Sequence, residues 1–157
     1  SFPGYRQIWL VFLDAEDNGD IPGWDWILGS KSFVGSLQDK PDTAVVLDMI
    51  GDANLDITRE SNSTPWLEDL VWSVAKRMGY SQYFLNTYMS VTDDHTPFLS
   101  RHVPSVDIID FNYPYWHTSQ DTLDKCSPHS LAVVGHVFLA SIQALDQKFV
   151  PASHGKS

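Results

Sequence analysis

Residues 8–13 read Ile-Trp-Leu-Val-Phe-Leu, and Asp14, Ala15, Glu16 and Asp17 follow at once. This stretch constrains the fold more than any other. Six apolar residues without a polar break do not suit a strand with one wet face, and the run is too short for a buried helix. Residues 6–13 are therefore expected to form a strand buried on both faces, which calls for a parallel sheet with helices on each side. The acids then stand just past the strand's carboxyl end, the edge at which open α/β sheets bind ligands. Carboxylates crowded there repel one another unless a metal ion or a shared proton lies among them.

The rest of the chain alternates as such a sheet requires. Residues 14–29 form a loop with Asn18-Gly19-Asp20 and Pro22-Gly23 as turn residues, and Trp24 and Trp26 in it either cover the sheet edge or wall a pocket. A short helix is expected at 29–37, a second buried strand at 43–50 with Asp48 near its end, and a short edge strand at 55–58. Residues 64–78 carry a helix signature: Thr64 at the N-cap, Pro65 at the first position, and Leu67, Leu70, Val71, Val74, Ala75 and Met78 on one stripe. Gly79 ends it. A weak strand at 83–85 and a polar loop at 86–96 lead to one helical turn at 97–101. The third main strand is expected at 103–110, followed by an aromatic loop, and a last helix capped by Ser127 runs from Pro128 to about 147. Residues past 151 read as a frayed tail. Strand, helix, strand, helix makes one α/β domain with a mostly parallel sheet.

Composition narrows the partners. With 20 acids against 10 lysines and arginines, the net charge is −10. This charge opposes nucleic acid and anionic membrane surfaces. Cys126 is the single cysteine, which excludes an internal disulfide, and it is expected to be half-buried. No stretch is expected to span a membrane, and no signal peptide is visible.

Three segments bring metal-binding residue types to one sheet edge. Asp14, Glu16 and Asp17 follow the first strand, Asp48 ends the second, and the third leads to His117, while Asp93 and Asp94 precede it. One imidazole with several carboxylates suits Zn²⁺ best, with Mn²⁺ or Co²⁺ as alternatives. A catalytic zinc lowers the pKa of bound water toward ~7, and a carboxylate outside the metal shell can take the proton. Tyr113, Tyr115 and Trp116 flank His117 and, with Trp24, are candidate walls of a substrate pocket. His95 is expected to make a structural hydrogen bond beside Asp94. His129 and His136 are expected to face solvent, Asp14 to cap backbone N–H groups, and Asp121 to accept a hydrogen bond near His117.

The segments FLDAEDNG, VVLDMIGD, TDDHTPFL and YPYWHTSQDTLD, in this order, resemble the C-terminal motifs of the M28-type zinc-dependent exopeptidases, whose fold glutaminyl cyclases share. The likeness spans roughly residues 6–145. It implies a three-layer α/β/α sandwich with a mostly parallel, mixed central sheet that lacks its N-terminal strands, and a single domain over 1–157 forming the C-terminal portion. By position it implies Glu16 as general base and Asp17, Asp48 and His117 as metal ligands, with Asp17 one methylene shorter than the glutamate usual there. In the cyclases the counterpart of Asp48 is a catalytic acid and not a ligand, and Asp93 shares a proton-linked hydrogen bond with it. The family's remaining His and bridging Asp come from a segment ahead of the first strand, so the resemblance implies that this segment is supplied by the rest of a parent chain. Zn²⁺ is the implied cofactor, a peptide the implied substrate, and a secreted or periplasmic setting the implied location. Asp93 leans toward the cyclases and the Ser119-Gln120-Asp121-Thr122-Leu123 run toward the peptidases. Aminopeptidase-type hydrolysis is the expectation favoured here, with glutaminyl cyclisation and a catalytically incomplete fragment as alternatives.

Overall fold

The computed structural model describes residues 7–149. Four strands and four helices organise it: α1 (Leu28–Ser36), β1 (Ala44–Asp48), β2 (Ile57–Glu60), α2 (Pro65–Arg77), β3 (Phe84–Met89), α3 (Thr96–Ser100), β4 (Ser105–Ile109) and α4 (Pro128–Phe149). β1 pairs with β4 in parallel, Ala44 opposite Ser105 and Asp48 opposite Ile109. β2 pairs with β3, also in parallel, and β4 packs beside β2. Parallel strands put their carboxyl ends on one edge, which collects Asp48, the residues after β4 and the loop after β3.

The core lies between these strands and α2 and α4. It gathers Ile57, Leu67, Val71, Trp72, Phe84, Val106, Ile108, Val133, Val134 and Val137. β4 is buried along its whole length. α2 begins with Pro65 as expected. The Thr64 hydroxyl, however, accepts from the Ser105 N–H at 3.0 Å instead of capping the helix, so it ties α2 to β4. Trp72 joins the buried stripe, while Met78 at the helix end is exposed. Ser127 caps α4 as expected, accepting from the N–H groups of His129 and Ser130.

Several expectations are corrected. Residues 8–13 form no strand: Trp9 is 64% exposed and Phe12 is 95% exposed. An apolar run becomes a buried strand only where a neighbour strand takes its backbone groups and layers cover both faces, and no described strand pairs with this one. β1 is half-buried for the same reason, having β4 on one side only. β3 runs on through Asn86 to Met89, residues expected to be loop, because the β2 ladder holds them. One helix among the described residues, Pro128–Phe149, is long and apolar enough to cross a membrane, contrary to expectation, yet it packs Val133, Val134 and Val137 into the core. Cys126 is exposed rather than half-buried. Residues past 151, expected to fray, lie outside the described residues.

Candidate active site

The loop carrying Glu16 and Asp17 is fixed by its own backbone. Ile27 N–H donates to the Glu16 carbonyl at 2.8 Å and Leu28 N–H to the Ala15 carbonyl at 3.1 Å, so the start of α1 hangs on the acid loop. Gly29 permits this approach: a Cβ there would lie 2.2 Å from the Asp14 carbonyl oxygen. Gly19 does the same for Trp26, whose indole sits 2.1 Å from where a Cβ would be. Three non-glycine residues at the site adopt left-handed backbone: Ala15 before Glu16 (φ 52°), Met49 after Asp48 (φ 50°) and His117 itself (φ 55°). Such strain persists only where the surroundings impose it, and it clusters at functional sites.

Glu16, Asp17, Asp48, Asp52, Tyr113, Trp116, His117, Asp121 and Lys125 line one open cleft. His117 stacks on Trp116 at 3.9 Å between centroids and lies parallel to the Trp26 ring at 6.5 Å. Asp121 accepts from the Tyr113 hydroxyl at 2.7 Å, the kind of contact expected of it. Trp24 is 57% exposed, and neither it nor Tyr115 lines the cleft. The Tyr115 ring packs instead on Tyr113 and under the Lys125 ammonium.

The acids of the cleft bear mainly on one another. Burial and then the neighbouring carboxylates of Asp93, Asp48, Asp94 and Asp17 push Glu16 up to about 7. Burial and Asp107 raise Asp48 to about 6, against a lowering bond from the Met49 N–H. Burial, with Asp48 and Asp94 nearby, raises Asp93 to about 6, although its carboxylate accepts from the Asp94 N–H. A group titrating near neutrality can both take and return a proton, which general acid–base chemistry requires.

Zinc can be tested against these donors. A carboxylate at Asp17 and an imidazole at His117 are the types zinc binds. The number is short: among the described residues no three His, Cys, Asp or Glu side chains converge to hold an ion. The charges bearing on Asp48 are those of Asp107 and Asp94.

Behind the cleft lies a cluster that sequence reasoning missed. His95, Glu60 and Asp107 are fully buried, with His95 Nε2 3.0 Å from Glu60 Oε2 and Nδ1 3.4 Å from Asp107 Oδ2. Burial alone would lower His95, but Asp107 and Glu60 override it and raise the imidazole to about 9. Burial opposes ionisation of Glu60 too, yet His95 and the N–H groups of Asn62 and Val91 hold it near 2. In place of the structural hydrogen bond expected of it, His95 makes ion-pair contacts with Glu60 and Asp107. The one available signal was Asp107, a charge in the middle of a strand otherwise read as core.

Known structures of the zinc-exopeptidase and glutaminyl cyclase fold superpose on this chain. The glutaminyl cyclase of an Acidobacteriales bacterium does so with a TM-score of 0.78 at 40% identity, over 87% of this chain and 52% of its own. A Zn-dependent exopeptidase from Parabacteroides distasonis gives 0.78 at 29% identity, over 84% and 52%. Peptidase family M28 matches residues 2–142, and the chain belongs to that family. The glutaminyl-peptide cyclotransferase of Gloydius blomhoffii is 29% identical over 163 residues, 83% of this chain and 44% of that protein. The chain thus spans about half the length of the relatives it matches.

Proposed function

We propose that the chain carries the acid–base half of an enzyme acting on peptide N-termini, and that its reaction is cyclisation of an N-terminal glutamine. The observation carrying this reading is the carboxyl group trio of Glu16, Asp48 and Asp93, each displaced toward neutrality, with Asp48 set among Asp93, Asp94 and Asp107. That neighbourhood suits Asp48 to proton sharing more than to metal ligation, so the reading departs from the ligand role expected for it.

Glu16 takes a proton from the substrate's α-amine as the nitrogen attacks the side-chain amide carbon. A C–N bond forms, the amide C–N bond breaks, and Glu16 returns the proton to the departing nitrogen, which leaves as ammonia. Asp48 and Asp93 hold and share a proton beside it. Trp116, Tyr113 and His117 wall the cleft that would receive the glutaminyl group. Asp17 and His117 would hold zinc with further donors, and the ion would polarise the carbonyl under attack.

Hydrolysis of the N-terminal peptide bond is the second reading. It is favoured by the Ser119-Gln120-Asp121-Thr122-Leu123 run and by exopeptidase neighbours such as the Parabacteroides structure. One assay on the full-length protein separates the two. A glutaminyl peptide that loses ammonia and acquires a blocked N-terminus supports cyclisation. Free glutamine with an intact downstream peptide supports hydrolysis and ends the cyclase proposal.

A further inference from the structure

Asp94 is a buried acid that the proton transfers above do not use. It is 8% exposed, and its Oδ1 is buried without a hydrogen-bond partner. Burial pushes its carboxyl group above the ordinary value, although the Ser30 hydroxyl and the His95 imidazole both favour the charged form. Its charge bears in turn on Glu16, Asp48 and Asp93. A half-satisfied carboxylate set among like charges lowers stability, so its place in the fold calls for another reason. The bonds around it supply one. Its N–H donates to Asp93 Oδ1. Its carboxyl group lies within hydrogen-bonding reach of Ser30, which is fully buried in the first turn of α1. Ser30 Oγ donates to the Ile27 carbonyl at 3.1 Å, and the Ile27 N–H donates to the Glu16 carbonyl at 2.8 Å. These contacts run unbroken from the Asp93 side chain to the backbone of Glu16.

We propose that Asp94 and Ser30 are positioning residues, which set Glu16 against Asp93 by joining the loop after β3 to the loop that opens α1. The inference rests on the reading above of Glu16 and Asp93 as proton-transfer groups. The two arrive on separate loops with unequal support. Asp93 follows β3, which the β2 ladder fixes. Glu16 follows residues 8–13, which no described strand pairs. Its loop is therefore held by what it meets at the other end, the start of α1, where Gly29 lets the two backbones approach. Ser30 is the next residue, and Asp94 is the group that reaches it from the β3 side. Proton transfer needs its partners within hydrogen-bond reach, and a displacement of about 1 Å can lower a rate ~10²-fold. Asp94 thus acts through Asp93 and Glu16, and needs no contact with substrate.

The test is turnover of a glutaminyl peptide by the full-length protein, with ammonia and freed glutamine both measured, paired with amide hydrogen exchange. Asp94→Ala and Ser30→Ala should each lower kcat about tenfold to a hundredfold with KM little changed. The double variant should be no worse than the poorer single one, because one path can be broken only once. Asp94→Asn keeps a group that can still bond to the Ser30 hydroxyl, and should recover most of kcat. Exchange at the Ile27 and Leu28 amides should quicken in both alanine variants, while that at Val106 and Ile108 in β4 stays as in the wild type. If Asp94→Ala does not fold, Ser30→Ala carries the comparison of kcat and exchange. Wild-type kcat in the alanine variants, effects that multiply in the double variant, or a loss that Asp94→Asn does not recover would overturn the proposal. Unchanged exchange at Ile27 and Leu28 overturns it too. Full activity in Glu16→Gln would instead remove the proton-transfer reading, and exchange would still decide whether Asp94 holds the loop.

Discussion

Two clusters of acids lie among the strands, one built around an imidazole and one built of carboxylates. Glu60 and Asp107 enclose His95, and the imidazolium helps hold Glu60 near 2, while burial keeps Asp107 up at about 6. Glu16, Asp48 and Asp93 are raised to about 7, 6 and 6, chiefly by burial and by neighbouring carboxylates, with His95 lowering only Asp93 among them. The first cluster brings its own cation. The second is complete only with a proton, a metal ion or a substrate amine. A buried carboxylate by itself says little about function; whether its counter-charge is built in or must be brought says much more.

Breaking the open cluster should have the largest effect. Glu16→Gln is expected to lower turnover ~10²–10⁴-fold without lowering stability to urea, since the amide removes a repelled charge. Full activity in that variant would end the proton-transfer role. Breaking the closed cluster should act on stability instead. His95→Leu leaves two buried carboxylates unpaired and should cost roughly 3–5 kcal/mol in urea unfolding. A loss under ~1 kcal/mol would mean that the imidazolium is not what holds the pair.

The pH dependence sharpens the contrast further. His95 has its folded pKa raised from 6.5 to about 9, so the stability it contributes is fully present below 6.5 and is lost as pH rises through about 9. Unfolding free energy measured from pH 6 to 10 should show that decline, and His95→Leu should abolish it. The smallest effect is expected at the cleft wall. Trp26 stacks on His117 without touching the acids' charges, so Trp26→Ala should lower kcat/KM about two- to tenfold, in line with an aromatic pair of ~0.5–1.5 kcal/mol. An unchanged kcat/KM would show that Trp116 alone orients the imidazole.

The same lesson separates two strands in the reading of the fold. Residues 8–13 are wholly apolar and lie exposed, while β4 carries Asp107 and is buried throughout. Hydropathy ranked them the wrong way round. β4 has β1 on one side, β2 on the other and α2 above, whereas residues 8–13 have no described strand to complete their backbone bonds. Burial belongs to the neighbourhood a segment finds, and composition only makes it affordable.

The sequence by itself determined the alternation of strands and helices, the stops at Pro65, Gly79 and Ser127, and the order of acids along the chain, because these follow from local periodicity and capping. It also carried the motifs of Peptidase family M28. Tertiary structure alone decided how strongly Glu16, Asp48 and Asp93 shift one another, that His95 closes a separate cluster with Glu60 and Asp107, and that His117 stacks on Trp116. Charges shift one another only through distances of a few ångströms, and chain order does not encode those until the sheet has been assembled.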